Sequence, residues 1–470
     1  MMRIAKLFTS VKVLAAAGIG GGLEMYDFVL YIFFAPTLSA LFFPKDDHFI
    51  GMMATYGIFA MGYFMRPIGG LIFGYLGDKT GRKKWLLVAI LLMGFSTLAM
   101  GCVPTYQQIG IAAPLLLLFF RLMQGIAVGA DLPGGITFVV EHAHPNTRGF
   151  NCGMVYLGVN VGLLCASGVA AIITSACTEV QLQSWGWRIA FLSSALLVLL
   201  GYYLRRGLEE SDIFLQAKQQ RQLLKNPFSS LLSFEHLREI LVGIFLVWLH
   251  AVIIVQLFME MPTFLYQHSI KSMGEALYLN TASLALLSLL IPLMGLLSDH
   301  FGRKQLLTTS SILLFIFIYP IYLLLTSESV AYIILGLVLV DLLSASVIGS
   351  VPVTLTELFA TKNRYSGVAL TYNVGFAIFA GLTPIILTLL GKLFNNPAMV
   401  SLNIMVAAIV CLVFYCLKIR YVIWSKRQGL PKYNLRLHLN GANLMTLHFE
   451  KEGNLWRKVG QWHAFESFSL

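Results

Sequence analysis

Two carboxylates and two aromatic rings are spaced to share one face of an apolar helix near the start of the chain. They stand at positions i, i+3, i+4 and i+7 and are Glu24, Asp27, Phe28 and Tyr31. That spacing places all four side chains on one side of an α-helix. A carboxylate beside aromatic faces suits an ammonium ligand, through Coulomb attraction and a cation–π contact of about 1–2 kcal/mol when water is excluded. The alternative is ordinary helix packing, with the acids held by Arg121 or by a backbone group.

A charged loop motif occurs twice, once in each half of the chain, and each copy follows a long apolar stretch. The two copies are GYLGDKTGRK at 74–83 and GLLSDHFGRK at 295–304. A second pair repeats downstream of each copy, as Glu141 with Arg148 and as Glu357 with Arg364. A charged loop repeated between hydrophobic spans is expected of a two-halved membrane transporter that arose by duplication.

The repeated acids and bases predict a conformational latch. Its members are Asp78, Arg82, Lys83, Glu141, Arg148, Asp299, Arg303, Lys304, Glu357 and Arg364. A carboxylate is stabilised at a helix N-terminus, and a guanidinium group pairs bidentately with a carboxylate. Such contacts would hold the halves together on one side and break when that side opens. The alternative is that the basic residues only set the topology, but this role does not require the recurring acids.

The composition predicts a membrane protein. Of 470 residues, 57% are apolar and only 12% are charged, against about 25% charged residues in soluble domains. An apolar run of about 20 residues crosses the ~30 Å hydrocarbon layer. We predict twelve such spans, near 12–38, 50–74, 85–103, 110–141, 150–174, 188–205, 239–263, 276–297, 305–326, 330–357, 366–391 and 398–417. The first does not read as a removable signal peptide, because Glu24 and Asp27 interrupt it.

The distribution of charge predicts the orientation in the membrane. The net charge is +11, and most of the Lys and Arg residues fall on one side if the N-terminus is inside. This bias predicts that both termini are cytoplasmic. The excess of basic residues then faces anionic headgroups, so no nucleic acid partner is expected. The six cysteines show no metal-ligand spacing, so neither a metal site, a cofactor nor a disulfide is expected.

The predicted domains are two helical bundles and two polar segments. They are an N-terminal six-helix bundle at 1–205, a cytoplasmic connecting segment at 206–235, a C-terminal six-helix bundle at 236–417 and a cytoplasmic tail at 418–470. Leu455, Trp456, Trp462 and Phe465 mix apolar bulk with charges, which is compatible with a helix lying on the inner leaflet. The alternative is a loosely ordered tail. No heptad repeat is sustained, so no coiled coil is predicted.

Further motifs identify a family. They include GLEMYDF at 22–28, RPIGG at 66–70, RLMQG at 121–125, GWRIAF at 186–191, RYSG at 364–367 and AGLTP at 380–384. With the repeated loops, they resemble the metabolite:proton symporter family of the major facilitator superfamily, and its proline- and betaine-carrying members in particular. The resemblance covers the chain nearly to Lys418. It implies an all-α membrane protein of twelve helices in two pseudo-symmetric bundles, alternating access, and a monomeric functional unit. It also implies proton-driven uptake across a bacterial inner membrane.

The resemblance further implies that spans 1, 4, 7 and 10 line a central cavity. The ionisable residues on these spans are Glu24, Asp27, Arg121, Asp131, His250, Glu260 and Asp341. Charged side chains inside membranes usually face the bundle interior. The predicted cavity is therefore mainly acidic, and an acidic cavity attracts cations and zwitterions but repels di- and tricarboxylates. The predicted solute is a small zwitterion such as proline or glycine betaine; the alternative is an organic acid such as 2-oxoglutarate, citrate or shikimate.

Individual roles follow from this arrangement. Arg121 is expected to hold the solute carboxylate, and Tyr372 and Asn373 complete the predicted site. Asp131 is the first candidate for proton coupling, followed by Glu24 and Asp27, because a buried carboxylate can titrate near ambient pH. A pairing of Asp341 with His250 is predicted, and a hydrogen-bonded structural role is the alternative for His250.

Two departures from the family matter, because each one limits what the resemblance implies. The family usually has Gly-Gly-Glu where this chain has Gly-Ala-Asp at 129–131, so the acid is one methylene shorter. The tail also lacks the coiled coil of the osmosensing members. Regulation by osmotic pressure is therefore not carried over from the resemblance.

Other classes of function find less support in the sequence. There is no nucleophile–base pair or metal-ligand cluster, and GDKTGRK lacks the spacing of a phosphate-binding loop. An enzyme and an ATP-driven pump are therefore not expected. A channel would lack saturable exchange, and a non-transporting receptor or sensor would bind solute without accumulating it.

Overall fold

The structure is a computed structural model. It describes residues 11–44, 48–80, 82–129, 132–206, 237–270, 272–359, 364–427, 436–439, 443–452 and 455–463. Almost all of the predicted connecting segment lies outside these ranges, and so does Asp131. The side chains of Asp78, Arg82 and Lys83 are also outside the described part.

The described part of the first half consists of helices joined by short loops. Its helices are α1 Val11–Phe33, α2 Ala35–Phe42, α3 His48–Phe64, α4 Arg66–Thr80, α5 Arg82–Cys102, α6 Tyr106–Ile109, α7 Ala112–Val128, α8 Leu132–His142, α9 Arg148–Ala176, α10 Glu179–Gln181, α11 Trp187–Leu192 and α12 Ser194–Arg206. A bend of 58° separates α1 from α2. Pro36 and Pro67 lie in the first turns of α2 and α4, where a missing backbone N–H costs little.

The second half is also built from helices. They are α13 Leu237–Ile254, α14 Met261–His268, α15 Met273–Phe301, α16 Arg303–Leu325, α17 Val330–Leu358, α18 Arg364–Gly375, α19 Gly381–Phe394 and α20 Leu402–Arg427. A π-helical turn, Val255–Met259, joins α13 to α14, and another, Phe376–Ala380, joins α18 to α19. Such turns insert an extra residue and are frequent at functional sites.

Within the described residues, nine helical segments are long and apolar enough to cross a membrane, and ten if the bent pair α1–α2 counts as one span. The prediction of a helical membrane protein is therefore confirmed for the two halves, while the number twelve stays a prediction and the tail, which contains strands, departs from all-α. The segments predicted near 50–74 and 85–103 do not meet the same standard. The first is broken before Arg66, and the apolar part of the second is only Leu87–Cys102, because α5 opens with basic residues.

The two halves meet along α9 and α15, which pack closely over their length. A Cβ atom on Gly149 would collide with the Gly295 carbonyl, and one on Gly153 would lie 2.8 Å from the Pro292 Cα. Small residues of this kind let the backbones of membrane helices approach. Midway along, Asn160 donates to Ser288 Oγ at 2.7 Å. The bundle has two ends: we call the end with the charged loops the motif end, and the other the opposite end.

The tail contains a three-stranded antiparallel sheet in the order β1-β2-β3. Its strands are β1 Arg436–Leu439, β2 Asn443–Glu452 and β3 Leu455–His463, and Leu444 pairs with His463. Both predictions for the tail, a surface helix and a loosely ordered segment, are therefore wrong for these residues. Met445, Leu447 and Phe449 alternate with polar residues, and a period of two indicates a strand rather than a helix.

Candidate functional site

The Arg121 side chain lies inside a cage of aromatic rings contributed by α1 and α3. Its guanidinium carbon is 3.8 Å from the ring centre of Phe28 and 4.7 Å from that of Tyr31. Nη1 donates to the Phe28 carbonyl and to Gln124 Oε1, both at 2.8 Å. Gly62 leaves room for the guanidinium group, since a Cβ there would lie 2.9 Å from Arg121 Nε. The rings predicted to face a solute ammonium are thus occupied by the protein's own cation.

The acids on α1 are buried next to this cage. Glu24 and Asp27 are both within the core of the bundle. The Thr97 hydroxyl accepts from Gln124 Nε2 at 2.8 Å, and its single proton is shared between Asp27 and the Met93 carbonyl, which lies 3.0 Å away. Gln124 and Thr97 therefore bridge Arg121 and Asp27, which form no direct ion pair with each other. The two charged groups are thus connected through neutral side chains and do not contact each other.

A small void lies at the centre of the bundle, between the two halves. Its volume is about 20 Å³, and it is lined by Met25, Tyr156, Asn160, His250, Tyr372 and Phe376, among others. The Tyr156 hydroxyl donates to Tyr372 Oη at 3.2 Å, from one half to the other. A void of this size holds about one water molecule. Neither Glu24 nor Asp27 lines it.

Arg66 forms a second buried contact between a cation and aromatic rings, and it lies between the halves. Its guanidinium carbon is 5.0 Å from the ring centre of Phe376 and 5.6 Å from that of Tyr372. The side chain is only 1% exposed, and it is hydrogen-bonded to Tyr372. Arg66 falls in the second predicted span, near 50–74, which is not one of the four spans expected to line the cavity. The centre therefore carries more positive charge than the sequence predicted.

Asn373 connects the second half to the C-terminal end of α7. Its Nδ2 donates to the Gly129 carbonyl at 2.9 Å, next to the position of Asp131. Its Oδ1 has no hydrogen-bond partner among the described residues. Asn373 thus binds the backbone at Gly129 while leaving one acceptor in the interior.

A pairing of Asp341 with His250 was predicted from the sequence, and this prediction is wrong. The Oδ1 atom of Asp341 instead accepts from the Ser283 hydroxyl at 2.8 Å, because this residue on α17 faces α15. The His250 ring packs edge-on against Tyr156 and Phe376, and neither ring nitrogen has a partner among the described residues. The alternative role for His250, that of a hydrogen-bonded structural residue, is therefore not supported by any hydrogen bond among the described residues.

At the motif end, Asp299 of the second half contacts the first turn of α9. Its two carboxylate oxygens accept from the backbone N–H groups of Gly149 and Phe150, each at 2.9 Å. Arg303 contacts the same carboxylate at 2.6 Å. A carboxylate at this position satisfies orphan N–H groups and interacts favourably with the helix dipole. Asp299 therefore ties one half to the other.

Two further ion pairs lie at the same end. Arg364 Nη1 is 3.3 Å from Glu141 and joins the halves, whereas Arg303 is 3.4 Å from Glu357 within the second half. Lys304 is exposed, and no ion pair of Arg148 is present among the described residues. The structure thus brings five of the ten predicted latch residues into contact with charged partners.

Comparisons with known proteins agree with this architecture. The sequence model of the Major Facilitator Superfamily matches residues 17–291 and 261–447. The chain belongs to the Major Facilitator Superfamily. Over 407 residues it is 34% identical to the glycine betaine/proline/ectoine/pipecolic acid transporter OusA of Dickeya dadantii, covering 85% of this chain and 81% of the relative. Over 410 residues it is 34% identical to the proline/betaine transporter of Escherichia coli K12, covering 86% and 82%.

Solved structures of other major facilitators share the fold. A D-xylose-proton symporter matches with a TM-score of 0.66 at 20% identity, covering 86% of this chain and 97% of that one. A proton:xylose symporter XylE bound to 6-bromo-6-deoxy-D-glucose matches with a TM-score of 0.69 at 16% identity, covering 87% and 95%. The resemblance seen in the sequence is therefore confirmed. This major facilitator is a secondary transporter and not an enzyme.

The sequence analysis missed several residues at the centre of this major facilitator. Arg66, Gln124 and Tyr156 were not assigned to the site, although all three contact residues that were. The sequence position of Arg66 could have identified it as a site residue, because a charged residue inside an apolar span usually faces the interior of the bundle. Gln124 follows Arg121 by three positions and so shares its helix face. Tyr156 gave no signal in the sequence beyond its place in an apolar span.

Proposed function

We propose that the protein is a proton-coupled symporter of a small zwitterionic solute, similar to proline or glycine betaine, that works by alternating access. The names of the two relatives described above support this class of solute. We further propose twelve spans in two six-helix bundles and a bacterial inner membrane location, with the motif end and both termini on the cytoplasmic side. The positive charge of the inner loops supports that orientation.

One observation carries the solute assignment: Arg121 is fully buried, but only part of its guanidinium group is used. Nε and Nη2 have no hydrogen-bond partner among the described residues. A buried cation without a full set of partners is costly, and a guanidinium group matches a carboxylate bidentately. A solute carboxylate would complete the set. Asp27, linked to Arg121 through Gln124 and Thr97, and Glu24 are the acids we assign to the solute ammonium.

The state of the molecule fits one step of an alternating-access cycle. Contacts of Asp299 and Glu141 between the halves close the motif end, and the central void, at about 20 Å³, is too small for a solute. A cavity of about 470 Å³ lies at the opposite end. Solute entry at the centre therefore requires the halves to separate, starting from the end at which this cavity already lies.

For the proton, we keep Asp131 as the first candidate, followed by Glu24 and Asp27. Asn373 binds the backbone carbonyl of Gly129, two residues before Asp131 in the sequence, so a movement of α18 would displace the backbone close to Asp131. Such a link supports coupling between the proton site and the second half of the protein. Tyr372 and His250, which line the void, are assigned to the solute path.

The test is uptake of labelled solutes into proteoliposomes. Glycine betaine or proline should accumulate when a pH gradient with an alkaline interior is imposed, and a protonophore should abolish the accumulation. Equal uptake without a gradient would point to a channel or uniporter. Uptake of 2-oxoglutarate and citrate alone, with none of betaine or proline, would contradict the proposed solute class.

A second candidate, symport of an organic acid, is favoured by Arg66. Two buried guanidinium groups, those of Arg66 and Arg121, face the interior, and both carry nitrogen atoms without a partner among the described residues. A pair of guanidinium groups binds a dicarboxylate better than it binds a zwitterion, which has only one carboxylate. Uptake of 2-oxoglutarate that is lost on Arg66→Gln would establish this alternative.

A further inference from the structure

The cavity at the opposite end has a buried acid in its wall. Its volume of about 470 Å³ falls within the range of about 300–1,000 Å³ that small-molecule sites occupy. Glu260, between α13 and α14, lines it and is only 5% exposed. The Tyr56 hydroxyl donates to Glu260 Oε2 at 2.9 Å, from the other half of the protein. The cavity therefore lies at a joint between the halves.

The second oxygen of this carboxylate, Oε1, has no hydrogen-bond partner among the described residues. The neighbouring amide of Gln256 is in contrast fully used. Gln256 Nε2 donates to Tyr322 Oη at 3.0 Å and to the Val400 carbonyl at 2.9 Å, and Gln256 Oε1 accepts from Asn403 at 3.1 Å. A buried acceptor without a donor costs free energy. A ligand that binds at Glu260 Oε1 would remove this cost, whereas a ligand at Gln256 would not.

The walls around Glu260 are aromatic. Phe49 and Tyr56 come from α3, Phe264 from α14 and Tyr322 from α16. Phe264 and Tyr322 meet edge to face, with ring centres 5.1 Å apart. Aromatic faces around a carboxylate are the setting in which proteins bind ammonium groups. Among the described residues, no cationic side chain of the protein lies over Tyr56, Phe264 or Tyr322, whereas Phe49 is in contact with Lys392.

The polarity of the cavity changes from its wall to its rim. Lys392 is exposed at the end of α19, where its Nζ lies 4.0 Å from the ring centre of Phe49. The acid is buried and the Lys is outside, so a zwitterion would enter with its cationic nitrogen first and leave its carboxylate near Lys392. The π-helical turn Val255–Met259 ends directly before Glu260, and such turns are frequent at functional sites.

We propose that this cavity is a second binding site, which takes a small solute with a cationic nitrogen at Glu260 before the solute reaches the centre. The proposal shares its solute class with the proposed function, but it rests on different residues. Because Tyr56 of the other half donates to Oε2 of the same carboxylate, a solute at the unpartnered Oε1 would bind at the joint between the halves.

The experiment uses a cysteine reporter in the cavity. Gly391 lines it, and a Cβ there would meet nothing within 4 Å, so Gly391→Cys is tolerated sterically. In a background with the native cysteines replaced by Ser, labelling by a membrane-impermeant maleimide is timed. Glycine betaine should slow labelling by about threefold or more, and 3,3-dimethylbutanoate, its carbon isostere without the positive charge, should not. Glu260→Gln should remove the protection.

Matched controls make the result specific. Glu275→Gln changes an exposed acid on the first turn of α15, at the same end but outside the cavity, and should keep the protection. A reporter at Val180, which is 79% exposed, should label at the same rate with or without betaine. Equal protection by the isostere, or protection that survives Glu260→Gln, would overturn the proposal. The isostere comparison needs no mutation of Glu260, so it decides the matter even if that variant does not fold.

The same preparation separates this proposal from the proposed function. Wild-type uptake of betaine without protection of the reporter would leave the function standing and remove the second site. Protection without uptake would keep the site and remove the function. If neither occurs, both fail.

Discussion

Asp299 binds the backbone of Gly149, so the second half of the protein caps a helix of the first. Its Oδ1 accepts the Gly149 N–H at 2.9 Å, and Oδ2 accepts the next N–H along the helix, that of Phe150. Arg303, four residues after Asp299, contacts the same carboxylate at 2.6 Å. The Asp299 carboxylate thus interacts with the N-terminus of a helix and with a guanidinium group at the same time.

The first prediction is that Asp299→Asn opens the motif end. An amide keeps the shape but loses the charge, which costs the closed arrangement about 1–2 kcal/mol. Cys152, one turn into α9, is buried and reports on this opening. In a chain whose other cysteines are replaced by Ser, N-ethylmaleimide should label Cys152 about tenfold faster in the variant.

Glu328→Gln is the control for this experiment, since Glu328 is an exposed acid at the opposite end. It should leave the labelling rate of Cys152 unchanged. Unchanged labelling in Asp299→Asn as well would contradict the role of Asp299 as a latch.

Much of the fold followed from the sequence, but less of the site did. The apolar spans and the duplicated loops have strong periodic signals. Their repetition placed Glu141 and Arg364 in a latch, but it did not predict that these two residues contact each other. The aromatic cage of Arg121 was not foreseen, because helical spacing fixes which residues share a face but not which neighbour that face meets. The strands of the tail were missed because composition was weighed above the alternation at 445–449.

The second prediction concerns the pair formed by Arg364 and Glu141. Their side chains are 13% and 32% exposed, and pairs this accessible contribute about 0.2–1 kcal/mol. A double-mutant cycle with Arg364→Gln and Glu141→Gln, read as thermal stability in detergent, should give a coupling in that range. Arg364→Gln should cost more than Glu141→Gln, because Arg364 Nε also donates to the Thr356 carbonyl at 3.0 Å. Equal costs of the two single variants would contradict this reading.

The third prediction is that Arg121→Lys abolishes solute exchange although it keeps the positive charge. Lys cannot donate to the Phe28 carbonyl and Gln124 while also presenting a planar pair of N–H groups to a carboxylate. We expect betaine counterflow to fall about 100-fold, which corresponds to about 2.7 kcal/mol.

Arg188→Lys provides the matched control for that change. Arg188 donates to the carbonyls of Gly101 and Val103, at 2.7 and 2.9 Å, and therefore holds the end of α5. Its replacement should lower the thermal midpoint without changing the KM for betaine. A large rise in KM in Arg188→Lys, or wild-type counterflow in Arg121→Lys, would contradict the assignment of Arg121 to the solute.

The last prediction separates proton coupling from solute binding at Asp131. Asn cannot take up a proton, so Asp131→Asn should abolish accumulation driven by a pH gradient while betaine counterflow, which needs no net proton movement, continues. Asp131→Glu, which restores the longer acid, should retain accumulation. Both variants change the same position, so a loss confined to Asn cannot come from a local structural disturbance alone. Full accumulation in Asp131→Asn would move the proton site to Glu24 or Asp27, and the same two assays applied to Glu24→Gln and Asp27→Asn would then identify it.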